Sequence, residues 1–168
     1  MESQKVHIKE KIAVLDSEIR KSKELNKGYS KSSLDDLILL YDELIKLDNE
    51  DYFAYLEKSL AQMYILNDYK GAEQTLESAV QIFGYNKVLY LRLSDTYQEL
   101  GKFKKALSTL DEVIQKEFAT DYFYAQRAIL NRKLGNISEA ENDQKIYDDY
   151  EAREKAKWDD PNHYYHYK

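Results

Sequence analysis

The sequence has no cysteine, one proline, one tryptophan, three histidines and five glycines in 168 residues. Without cysteine there is no disulfide and no thiolate metal site. That absence fits a reducing compartment. With its only proline at position 161, nearly the whole chain is free of helix breakers. No stretch approaches the ~18 uncharged apolar residues of a membrane span. The opening MESQKVHIKEKIAVLDSEIRK carries a charge every few residues and no apolar run, so no signal peptide is expected. The expectation is a soluble, cytoplasmic chain.

Signatures of catalysis are equally scarce. Neither G-x-x-x-x-G-K-[ST] nor G-x-G-x-x-G occurs. Acidic pairs stand at Asp35-Asp36, Asp148-Asp149 and Asp159-Asp160. Adjacent residues on a helix point about 100° apart, so such pairs make poor acid–base couples and read as solvated surface. His163 and His166 lie three apart beside Asp159 and Asp160, a spacing that would serve a metal only on a preformed helix. The expectation is no enzyme activity, no cofactor and no metal.

What is present is charge, aliphatic residues and tyrosine. The chain is 43% hydrophobic and 33% charged, too apolar to be disordered. Its net charge of −6 argues against sequence-independent nucleic-acid binding. Residues 1–31 carry eight Lys/Arg against five Asp/Glu, so this end is basic and the remainder is −9. The plain reading is a solvated helix face, and the alternative is steering of an acidic partner.

The pattern that decides the architecture is a repeat. Ala72, Ala106 and Ala140 stand 34 residues apart. Tyr69, Phe103 and Ile137 keep that step, as do Leu66, Leu100 and Leu134, and Leu56, Tyr90 and Tyr124. Asn67, Gly101 and Gly135 share one turn position, where a helix can end in the left-handed conformation. The alanines let helices approach closely, and the residues at 69, 103 and 137 fill the space beside the turn. One such unit cannot bury its apolar face alone, so neighbours must stack.

Tyr90-Leu-Arg-Leu-Ser-Asp-Thr-Tyr97, Gly101-Lys-Phe103, Lys105-Ala106, Leu110 and Val113 resemble a full tetratricopeptide repeat, whose period is 34 residues. The flanking units have drifted. Leu60 and Met63 replace the usual small residue and tyrosine in the first, and Asn131 and Gln144 depart from the pattern in the last. The closing proline is replaced by Gly84 and Phe118. The resemblance implies an all-α, right-handed helical solenoid of antiparallel helix pairs, about eight helices in all. We divide the single domain into a degenerate N-terminal helical pair over 1–52, units at 53–86, 87–120 and 121–154, and a C-terminal cap with an aromatic tail over 155–168.

Helices are expected near 3–26, 33–47, 51–66, 69–83, 87–100, 103–117, 121–134 and 138–157. Val6, Ile8, Ile12, Leu15 and Ile19 form the apolar stripe of the first. Ser33, Asp51, Asp121 and Ser138 are expected N-caps, with Asp35 and Asp36 in the first turn of the second helix. Trp158, Tyr164, Tyr165 and Tyr167 either fold over the last helix or act as a recognition element, including self-association on a second copy.

The resemblance also implies a function, the binding of a protein or peptide along a concave face built from the first helix of each repeat. Its binding positions fall on Ala54, Glu57, Lys58, Ala61, Tyr64 and Ile65 in one unit. In the next they fall on Val88, Leu91, Arg92, Asp95, Gln98 and Glu99, and in the third on Tyr122, Ala125, Gln126, Ile129, Arg132 and Lys133. Lys58, Tyr64, Arg92, Asp95, Tyr122, Gln126 and Arg132 are the partner-binding candidates, because aromatic anchors and long cations make binding hot spots. The Lys-and-Asn clamp of family co-chaperones is absent, since Glu57 and Ala61, or Leu91 and Asp95, stand at its positions. A general adaptor, a bacterial secretion chaperone and an immunity protein that neutralises a toxin all fit this pattern.

Overall fold

A computed structural model describes residues 2–24, 31–116 and 121–159. Among them every regular element is a helix: α1 (Glu2–Glu24), α2 (Lys31–Leu47), α3 (Tyr52–Tyr64), α4 (Tyr69–Phe83), α5 (Lys87–Glu99), α6 (Phe103–Lys116), α7 (Asp121–Leu134) and α8 (Ile137–Asp159). The chain packs as two compact units, Met1–Thr96 and Tyr97–Lys168, with the boundary inside α5.

In the first unit α1 packs on α2, α2 on α3, and α3 on α4. Ile8, Ile12 and Ile19 of α1 meet Leu34, Leu37, Tyr41 and Leu44 of α2 in one buried cluster. Spacings of four and seven residues put these side chains on one helix face. Val6 belongs to the expected stripe but is half exposed, because it falls off that face. Ala54 and Ala61 of α3 close the same cluster, and both are buried. Asp51 caps α3 as expected, accepting a hydrogen bond from the Ala54 N–H at 3.1 Å. Asp68 does the same for α4 through the Gly71 N–H at 3.0 Å. The turn between α3 and α4 is short, so the two helices run antiparallel.

In the second unit α7 packs on α6 and on α8. The helix-ending positions behave as their residue types require. Asn67, Gly101 and Gly135 have φ of 54°, 69° and 81°. After α5 the Lys102 N–H reaches the Tyr97 carbonyl at 2.8 Å and the Gly101 N–H reaches Gln98 at 3.0 Å. After α7 the Asn136 N–H reaches Asn131 at 2.9 Å and the Gly135 N–H reaches Arg132 at 3.1 Å. Both are left-handed closures that satisfy the last carbonyls of a helix. Ala72, Ala106 and Ala140 are fully buried, where only a small side chain lets two helices meet.

Two expected caps fall elsewhere. α2 already begins at Lys31, so Ser33 lies inside it and Asp35 and Asp36 lie beyond its first turn. α8 begins at Ile137, one residue before Ser138. Serine and aspartate are common both at caps and within exposed helical turns, and the type alone does not choose between them. The Asp121 side chain and the tail 160–168, with His163, His166 and its tyrosines, lie outside the described residues. The last helix runs to Asp159, longer than most of its neighbours, as its uninterrupted pattern predicts.

Candidate functional site

The first unit carries a trough between α1 and α3, floored by α2. Two cavities of about 340 and 330 Å³ share Asp16, Tyr41 and Glu57 in their walls and so join into one depression. Along α3 it runs from Phe53 to Tyr64, both well exposed. These residues are eleven apart, three helical turns, and therefore share a face. Ile12, Ile19, Leu44, Ala54 and Ala61 supply the apolar floor. The ends are held by charge. Lys9 on α1 pairs with Asp51 at 2.9 Å, and Arg20 pairs with Asp16 at 2.7 Å.

Tyr41 lies at the centre of this trough, 8% exposed. Burial first, and then the neighbouring Glu57 and Asp16 carboxylates, push its hydroxyl pKa up to about 12. The Glu57 side chain is exposed and forms no hydrogen bond or ion pair among the described residues.

Tyr64, Arg92 and Asp95 come together. Arg92 Nη1 donates to the Tyr64 hydroxyl and to Asp95 Oδ2, each at 3.3 Å. This links α3 to α5 beside the end of the trough. Lys58 does not join them. Its ammonium is 2.6 Å from Asp42 Oδ1 on α2, in a separate cleft of about 270 Å³ beside Gln62, Gly71 and Thr75. Lys58 follows Glu57 by one residue, about 100° around the helix, enough to carry it to another wall.

The remaining candidates belong to the second unit. Tyr122 is exposed, with its ring edge-on to Phe123 at 5.9 Å. Arg132 donates to Gln144 Oε1 at 3.0 Å, and Gln126 is half-buried. This unit also holds a network the sequence did not reveal. Arg127 Nη2 and Nε reach the two oxygens of Asp143 at 2.7 and 2.9 Å, and its Nη1 reaches Asp111 at 3.0 Å. Asn131 Nδ2 adds a bond to Asp143 at 3.3 Å. Residues 127 and 143 stand equally far from Gly135, and in a helical hairpin such positions face each other. That symmetry was the available signal. Asn131, which departs from the repeat pattern, is polar because it serves this buried carboxylate.

No group of three or more His, Cys, Asp or Glu among the described residues could hold a metal ion. No helix among them is long and apolar enough to cross a membrane.

Residues 64–130 match the family model described as tetratricopeptide repeat. That segment of the chain is built of tetratricopeptide repeats. Solved structures share the fold of this repeat protein. A crystal structure of MamA is 16% identical at a TM-score of 0.65, covering 86% of this chain and 81% of its own. MamA from Desulfovibrio magneticus RS-1, from residue 41 to its end, is 15% identical at 0.64, covering 84% and 76%. A structure titled MamA MSR-1 C2 is 14% identical at 0.62, covering 90% and 98%. No curated protein matches the repeat protein's sequence.

Proposed function

We propose that this repeat protein is a non-enzymatic interaction module that binds a peptide or protein partner along the first helices of its units, taken as 53–86, 87–120 and 121–154. The observation that carries this reading is the cluster of Tyr64, Arg92 and Asp95 at the end of an apolar trough. An exposed aromatic ring held by an arginine is rigid before a partner arrives, so little side-chain freedom is lost on binding. Tyr122 and Arg132 offer the same residue types in the second unit. A chaperone or an immunity protein would be a special case of this contact, differing in the partner.

The test places a photo-crosslinking residue at position 64, 92 or 122, with Gln81 on the exposed side of α4 as the control site. One partner should crosslink from the first three and not from 81. Arg92→Glu should weaken capture from position 64 while leaving the helical circular dichroism unchanged. Equal crosslinking from all four positions would sink the reading.

A further inference from the structure

The trough of the first unit is lined by three carboxylates, Asp16, Asp51 and Glu57, against two cations, Lys9 and Arg20. Among the described residues no side-chain nitrogen or oxygen is both buried and without a partner. Tyr41 is more than nine-tenths buried and its hydroxyl bonds no described residue, so that oxygen opens into the trough. Glu57, on the opposite wall from Asp16, holds a carboxylate with no hydrogen bond or ion pair. Asp16 accepts from Arg20 through Oδ2 and lines the same space. Lys9 is matched by Asp51, and Arg20 bonds Asp16 while also feeling the Glu57 carboxylate, so Asp16 and Glu57 share one guanidinium. The centre therefore has one negative charge in excess, a hydroxyl beneath it and an apolar floor on both sides.

We infer that the trough seats a lysine or arginine side chain of a protein partner, with its cationic head between Glu57 and Asp16 above the Tyr41 hydroxyl. This rests on the interaction-module reading and names the partner chemistry for the first unit. Charge complementarity selects the head. The floor of Ile12, Ile19, Ala54 and Ala61 selects the rest, because a long basic side chain lays its methylene stem on apolar surface. The flanking exposed rings, Phe53 and Tyr64, select apolar neighbours of that basic residue in the partner segment. An acidic segment would add to the excess of carboxylates over cations here, and like-charge contact rejects it. This is the reverse of the selectivity that the lysine and arginine candidates alone would imply.

The experiment is a titration of the full chain, uniformly ¹⁵N-labelled, with blocked heptapeptides. They share leucines on both sides and differ only at the centre, as arginine, glutamine or glutamate. The arginine peptide should shift amides of 9–20, 41–44 and 53–65 saturably, and bind at least about tenfold more tightly than the glutamate peptide. Glu57→Gln lies on the surface and should keep the fold. It should cut affinity for the arginine peptide about tenfold and leave that for the glutamine peptide unchanged. Tyr41→Phe should weaken the arginine peptide less. Equal affinity for all three centres would overturn the cation preference while the groove reading stands. Absence of saturable shifts with any peptide would overturn the cation site, and the crosslinking test then judges the groove separately. Spermidine competing as tightly as the arginine peptide would overturn a protein segment as the source of the cation.

Discussion

Replacing Arg127 by methionine should destabilise the second unit by about 3–5 kcal/mol, because it strands a buried charge. The Asp143 side chain is 2% exposed and has little access to water. Two of its contacts come from one guanidinium, at 2.7 and 2.9 Å, in the parallel geometry that suits an arginine–carboxylate pair. The pairing is felt on the arginine as well. Its pKa is held above the ordinary value, first by the Asp143 hydrogen bond and then by Asp111, against the opposing effect of burial. Methionine keeps the length of the stem and removes the charge. Asp143 is then left with Asn131 alone, at 3.3 Å. The lost contact to Asp111 adds little, about 1 kcal/mol or less, since that carboxylate is 38% exposed and water can replace the arginine. The double variant Arg127→Met with Asp143→Leu removes both charges and should recover most of the loss. Urea unfolding followed by far-ultraviolet circular dichroism measures this as a shift of midpoint at constant slope. A single variant that loses less than about 1 kcal/mol, or a double variant that loses as much as the single, would mean that Asp143 is not stranded without Arg127.

Tyr41 predicts a base-side effect. A free tyrosine ionises at 10.0, whereas Tyr41 is raised to about 12, so its stabilisation is intact below pH 10 and is lost as pH rises toward 12. Full burial would make this about 3 kcal/mol, and water reaching the hydroxyl through the trough lowers it. Tyr41→Phe should make the decline over that window shallower, and equal slopes would count against the assignment. Asp48 predicts an acid-side effect. The Lys5 ammonium, 2.5 Å away, and the Glu50 N–H hold its carboxyl below 3.8, so its contribution is present above that value and is lost as pH falls through the lowered one. In acid titrations Asp48→Asn should blunt this part of the unfolding. Gly71→Ala should cost about 1 kcal/mol, although alanine is ordinarily the better helix former. A methyl group there would run into the Asp68 cap and the Gln62 amide. A gain in melting temperature would show that the cap moves aside freely.

The repeat was legible because its determinants are local and periodic. Alanines at 72, 106 and 140 and the turn residues at 67, 101 and 135 each express a constraint set within a few residues of themselves. A left-handed φ asks for glycine or asparagine wherever it occurs, and helix contact asks for alanine wherever two backbones meet. Asp51 was legible as a cap for the same reason, since its partner is only three residues away. Ser33 and Ser138 were not, because nothing local separates a capping serine from one inside an exposed turn.

The side-chain partnerships depend on tertiary packing. Lys58 and Glu57 are neighbours in the chain, yet packing sends one to Asp42 and leaves the other over Tyr41. Arg127 reads as an ordinary surface cation until α8 folds back and brings Asp143 beneath it. The concave face implied by the repeat was written in helical positions, which give direction around one axis. Which directions meet another helix, which meet a buried hydroxyl and which meet water follow from three helices at once. The period therefore determines where the trough can lie, and the packing of α1, α2 and α3 decides what it can hold.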